Sequence, residues 1–141
     1  RLSRPMTLGV RGIVENEDGQ VLFVRHTYTR GLFFPGGGVE RGETAEFSLV
    51  RELEEEGQVR VTGTARLCGV YSNHQYFRND HVLLYRIAAA DWMQSPEMSL
   101  DAREIAETVW ADPRTPPEDV TPGTARRLQE IYHQAAQSTY W

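Results

Sequence analysis

The chain has 141 residues, enough for one domain with a core of its own, and carries a formal net charge of −5. That balance argues against a grip on a nucleic acid polymer, which needs a clustered basic surface, but it leaves a nucleotide open, since a bound cation offsets phosphate charge locally. The only cysteine, Cys68, has no disulfide partner, no apolar run approaches the ~20 residues of a membrane helix, and no leader pattern stands at Arg1. A single cytoplasmic domain over residues 1–141, without membrane association, is therefore expected.

Residues 8–14 alternate enough to predict a strand, and 21–25 predict a second. Between them Asn16-Glu17-Asp18-Gly19 is a turn cluster, with Asp-Gly the strongest local hairpin signal. Residues 26–34 read as an irregular connection into Pro35-Gly36-Gly37-Gly38. A helix is expected over 44–56, with Ala45, Leu49, Val50 and Leu53 as its core stripe and Gly57 as the left-handed residue that stops it. Strand-like stretches fill 59–71, where Cys68 reads as a small buried apolar residue. A loop follows over 72–79, then a better strand over 80–90. Thr108-Val109-Trp110 is one more short strand, with Trp110 read as core, and 112–122 is proline-rich, acidic and irregular. A last helix is expected over 124–137, with Ala125, Leu128, Ile131, Tyr132 and Ala135 on its apolar side. Strands before and after one internal helix, then a terminal helix, predict an α/β fold with a mixed β-sheet flanked by helices.

The first helix carries the chemistry. At ~100° per residue, Glu52, Glu55 and Glu56 span about a third of its circumference. Like charges at i, i+3 and i, i+4 weaken a helix by ~0.2–0.5 kcal/mol per pair. A solvated acidic helix is one explanation; a hard divalent cation among the oxygens, Mg²⁺ first, is the other. The surrounding spacing favours the cation. Against the pattern G-x5-E-x7-R-E-U-x-E-E-x-G-U, with U aliphatic, the chain supplies Gly37, Glu43, Arg51, Glu52, Leu53, Glu55, Glu56 and Val59. The last glycine of the pattern falls on Gln58, one residue after Gly57. Through this box the chain resembles the Nudix hydrolase superfamily.

The resemblance implies an α/β/α sandwich and a small nucleotide-type diphosphate as substrate, cleaved by water at phosphorus. It implies Mg²⁺, with Mn²⁺ as a substitute, held by Glu55 and Glu56 with Glu52 and the carbonyl of Gly36. Glu52 matches a glutamate that orients or deprotonates the water, and Glu43 and Arg51 match a pair that braces the loop against the helix. Gly36, Gly37 and Gly38 lack a Cβ and so let a metal or phosphate approach the main chain. If the glycine replaced by Gln58 is only a helix stop, Gly57 can end the helix one residue sooner; if it serves close packing, the next strand shifts register.

Outside the box the candidates are Glu104 or Glu107 as a further acid, Arg25 as a phosphate contact, and Tyr76 with Phe77 as a stacking platform for a base. His26, His74, His81 and His133 are dispersed and offer no zinc spacing. Two other functions are weighed: a catalytically weak Nudix-fold nucleotide-binding or sensor module, and an isomerase of non-nucleoside diphosphates, for which Cys68 lies in no evident motif. Oligomeric state is open, a homodimer included.

Overall fold

Alternation along the first strand sets the layers, since side chains one residue apart point to opposite faces. The computed structural model describes residues 5–96 and 104–141. Within them the elements run β1 (Thr7–Val14), β2 (Val21–His26), β3 (Leu32–Phe33), β4 (Gly36–Gly38), α1 (Ala45–Gly57), β5 (Val59–Val61), β6 (Arg66–Ser72), β7 (Asp80–Ile87), β8 (Trp92–Gln94), β9 (Ile105–Ala111) and α2 (Pro122–Tyr132). The main sheet, ordered β4-β1-β7-β6, is mixed: β1 is parallel to β7 and antiparallel to β4. Two antiparallel sheets, β3-β2-β9 and β5-β8, complete the frame. Val10, Val14, Leu22, Tyr85 and Ile87 turn to one side and pack with Leu49 and Leu53 of α1. Ile13, Val21, Phe23 and Leu84 turn to the other and meet Leu128 of α2. The result is the expected α/β/α arrangement.

The Asp-Gly turn forms but makes no hairpin. Asn16 Oδ1 accepts from the N–H groups of Asp18 and Gln20, at 3.0 and 2.9 Å, and Gly19 takes φ 76°. Yet β1 and β2 meet only at a Glu15–Val21 bridge, because β4 and β7 already occupy both edges of β1.

Helix α1 starts as expected, with Thr44 Oγ1 accepting from the Phe47 N–H at 3.1 Å. Its inward face is rotated from the predicted stripe: Ser48 is buried and Val50 is 37% exposed. Its end corrects the sequence reading too. Gly57 stays helical, and the left-handed cap is Gln58, with φ 56° and ψ 33°. A Cβ on Gly57 would stand 2.7 Å from Leu22 Cδ2, so the glycine serves packing of helix on strand.

Four further readings are adjusted. Residues 26–34 contain the short β3, β8 had no predicted counterpart, and Cys68 is half-buried beside the Arg66 carbonyl. Helix α2 begins earlier, with Pro122 in its first turn, and ends at Tyr132, leaving Ala135 exposed beyond it. Gln134 is left-handed there (φ 60°), and the chain returns so that the Trp141 N–H reaches the Ser72 carbonyl at 2.9 Å. Trp110 packs against the core as expected, and there it stacks on Trp92 with ring centres 5.5 Å apart.

Candidate active site

Pairing of β4 with β1 places Gly36 opposite Arg11 and Gly37 opposite Val10, under the edge of α1 that carries the glutamates. A Cβ on Gly36 would fall 1.9 Å from the Val10 carbonyl oxygen. On Gly37 it would fall 2.5–2.7 Å from the Glu52 carboxylate, so that side chain rests directly on main chain. Gly38 has open space where its Cβ would stand.

Glu56 is 3% exposed. Its Oε1 accepts from the Gly36 N–H at 3.0 Å, and its Oε2 lies 3.2 Å from Nε2 of His26, which is also buried. The glycine group in contact is thus the N–H. Glu52 is half-buried; burial raises its pKa, the hydrogen bond from Arg51 at 2.8 Å opposes that, and the charge of Glu56 adds to it. Glu55 is exposed, 3.4 Å from Arg51 Nη1. Arg51 also grips Glu43 with two prongs, Nε to Oε2 at 2.9 Å and Nη2 to Oε1 at 2.8 Å. Those bonds, with one from Ser48 Oγ, hold the Glu43 carboxyl down at about 2. The pair ties the loop before α1 to the middle of the helix.

Among the described residues no group of three or more His, Cys, Asp or Glu side chains stands arranged around an ion. Glu52 and Glu55 turn to Arg51, and Glu56 to Gly36 and His26. The donor set nevertheless fits a hard cation: three carboxylates along one helix edge, two of them against glycine main chain, where a Cβ would push on Glu52 or strike the neighbouring strand.

His26 was missed as a site residue, although counting by two from Leu22 puts it on the α1 side of β2. Arg25 lies on the other side, with Nε 2.7 Å from Glu107 and Nη2 2.7 Å from Asp119. Arg25 and Glu107 are therefore engaged with each other, across β2 and β9. Glu104 is exposed, takes the Thr27 N–H on its carbonyl at 2.9 Å, and with Glu56 and Glu52 bears electrostatically on Tyr28. Tyr76 and Phe77 are exposed, and Tyr76 lines a separate cleft with Asn73, Arg126, Tyr140 and Trp141.

The match to known proteins now has a geometry under it. Residues 5–132 match the family model described as NUDIX domain. The chain belongs to the Nudix family. A Bacillus subtilis Nudix relative, provisionally named an 8-oxo-dGTP diphosphatase, is 30% identical over 89% of this chain and 79% of its own length. A Baumannia cicadellinicola RNA pyrophosphohydrolase is 39% identical, over 48% of this chain and 46% of that protein. Among solved structures, the MutT NUDIX hydrolase from Burkholderia pseudomallei superposes with a TM-score of 0.73 at 19% identity, covering 91% of this chain and 99% of that one. As a Nudix hydrolase the chain is an enzyme of phosphoanhydride bonds, and the family in general needs a divalent cation such as Mg²⁺. No helix among the described residues is long and apolar enough to cross a membrane.

Proposed function

We propose that this Nudix hydrolase is a Mg²⁺-dependent pyrophosphohydrolase of a nucleoside diphosphate linked to another group. The observation that carries the reading is Glu56, buried and hydrogen-bonded at 3.0 Å to the Gly36 N–H, with Glu52 lying against Gly37 beside it. Burying carboxylates one helical turn apart in one site is costly unless a cation joins them. Glu52, Glu55 and Glu56 would hold that cation, with main chain at Gly36 beside them, and Mn²⁺ would substitute for Mg²⁺. When bound, the ion acidifies water and offsets charge developing on the phosphoryl oxygens.

The chain's own residues do the rest. Glu56 is anchored through both oxygens, so its direction is fixed before substrate arrives. Glu52 takes the proton of the attacking water, its carboxylate held in place against Gly37 and by the hydrogen bond from Arg51. Water oxygen bonds to phosphorus, the bridging P–O bond breaks, and a nucleoside phosphate and a phosphorylated fragment leave. Arg51 and Glu43 keep the loop and helix in register. Glu104 is the further acid for a supporting role, since its main chain is tied to Thr27 beside His26 and its charge, like that of Glu56, acts on Tyr28.

The test is product release from canonical and oxidised nucleoside triphosphates, ADP-ribose, dinucleoside polyphosphates and nucleotide sugars, with Mg²⁺ and with chelator, beside Glu56→Gln. Metal-dependent cleavage of one compound, lost by orders of magnitude in the variant while the fold survives, is the expected result. Near-normal turnover by Glu56→Gln would remove the assignment.

A further inference from the structure

Arg11 stands opposite Gly36, the residue whose N–H holds Glu56. Its guanidinium is partly buried, donates one hydrogen bond, Nη1 to the Phe34 carbonyl at 2.9 Å, and has no ion pair among the described residues. It lies over the Phe33 ring, with Cζ 5.5 Å from the centre. Phe33 packs on His26 at 5.1 Å, and His26 reaches Glu56. His26 also stacks on Tyr28, 5.1 Å between ring centres, a residue 69% exposed. Arg11, Phe33, His26 and Glu56 therefore form one continuous wall.

A guanidinium has five N–H donors, and here one is spent on the described residues. A cation withdrawn from water costs free energy until an anion meets it. Burial lowers the pKa of Arg11, and the charges of Glu56 and Glu52 act on it in the opposite sense from across the site. Glu56 is hydrogen-bonded to Gly36 and His26, and Asp80 to Thr7 and Asn73, and neither carboxylate forms an ion pair with Arg11. Among the described residues no carboxylate pairs with Arg11, and an anion of the substrate would complete it.

The geometry points to Arg11 as the phosphate clamp of this site, its free N–H groups gripping non-bridging oxygens of the substrate's phosphate chain on the wall continuous with Glu56. The inference rests on the proposed nucleotide hydrolysis and adds the residue that recognises the phosphates. A neutral acceptor on a base would leave the buried charge uncompensated, whereas the planar fork matches a phosphate with two parallel bonds.

Arg11→Gln tests it, because glutamine keeps an N–H for the Phe34 carbonyl and loses the charge. ADP and adenosine, and GDP and guanosine, are titrated in chelator against wild type, Arg11→Gln and Arg11→Lys. The expected result is a nucleotide affinity weakened roughly ten- to a hundredfold in Arg11→Gln, partly restored in Arg11→Lys, with nucleoside binding unchanged. Equal nucleotide affinity in wild type and Arg11→Gln overturns the clamp, as does equal loss for nucleotide and nucleoside, or a wild type that prefers neither nucleotide to its nucleoside. Should Arg11→Gln not fold, Arg11→Lys decides: it keeps charge without the fork, and undiminished nucleotide binding overturns the inference. Nucleotide binding that depends on Arg11 in an enzyme that cleaves nothing would remove the proposed hydrolysis and leave the clamp. Cleavage with binding indifferent to Arg11 would do the reverse.

Discussion

Nε2 of His26 lies 3.2 Å from Oε2 of Glu56, a contact between the last residue of β2 and the last turn of α1, with both side chains buried. Gly36 holds the other oxygen, so the carboxylate is fixed at two points. His26→Phe keeps ring volume against Phe33 and Tyr28 but frees Oε2. Loss of such a partner to a candidate metal ligand costs on the order of 10–100-fold in metal affinity or activity. We expect a Mg²⁺ titration of activity shifted upward by about that factor, together with a lower melting temperature. A lower melting temperature with an unmoved Mg²⁺ requirement would make His26 a packing residue only.

The three glycines of β4 predict a graded series. Gly36→Ala forces a Cβ to within 1.9 Å of a backbone oxygen, which cannot yield, and should lose stability by several kcal/mol, as measured by urea unfolding. Gly37→Ala meets only the Glu52 carboxylate, the movable end of a side chain. It should fold, with kcat reduced at least about tenfold as Glu52 is displaced. Gly38→Ala meets nothing within 4 Å and should resemble wild type in both measurements. A Gly37→Ala enzyme of full activity would separate Glu52 from the chemistry.

Glu43 gives the acid limb of stability a named cause. Arg51 and Ser48 hold its carboxyl at about 2, below the ordinary value of 4.5. A carboxylate whose pKa is lowered on folding stabilises the fold above its unfolded pKa, and that contribution is lost as pH falls through the folded value. The melting temperature of wild type should therefore drop between pH 4.5 and pH 2 more steeply than that of Glu43→Gln, which has no proton to take up there. Parallel profiles for the two proteins would dissociate Glu43 from acid unfolding.

The box was legible because its residues are constrained by charge and by backbone at fixed spacing: Glu43 and Arg51 are found clasped, and Glu52 and Glu56 are found against Gly37 and Gly36. Strand order was not legible, since nothing local to Asp18-Gly19 reveals that β4 and β7 claim both edges of β1. His26 and Arg11 escaped for a related reason, their roles arising from contacts with residues distant in sequence. Gln58 was half-read. Its position in the box is the left-handed one, and a side chain there costs about 1–2 kcal/mol relative to glycine. Gln58→Gly should raise stability by roughly 0.5–1 kcal/mol after the entropy glycine gains in the unfolded chain is subtracted, with activity unchanged. Gly57→Ala should lower stability, because Leu22 lies where the new methyl would go. A melting temperature that falls in Gln58→Gly would mean that the glutamine's own contacts, such as that with Gln94 at 3.4 Å, outweigh the backbone.

Arg127 carries the last prediction, and it concerns the wall opposite α1. The apolar stripe of α2 gave no hint of it, yet its side chain is fully buried, above the Tyr71 ring at 4.2 Å and the Trp141 ring at 5.0 Å. Nη2 donates to Glu130 Oε2 at 2.9 Å and Nη1 to the Trp141 carbonyl at 2.6 Å. Glu130 also accepts from the Tyr71 hydroxyl and the Ser138 N–H, each at 2.9 Å, so the cluster joins α2, β6 and the last residues described. Removing one member of a buried ion pair strands the other, typically at about 3–5 kcal/mol. Arg127→Met should cost that much in urea unfolding. Arg127→Met with Glu130→Gln should recover part of it, because the stranded charge is gone while the acceptor for Tyr71 remains. Strictly additive losses in the double variant would show that packing on the two rings, and not the ion pair, holds this wall together.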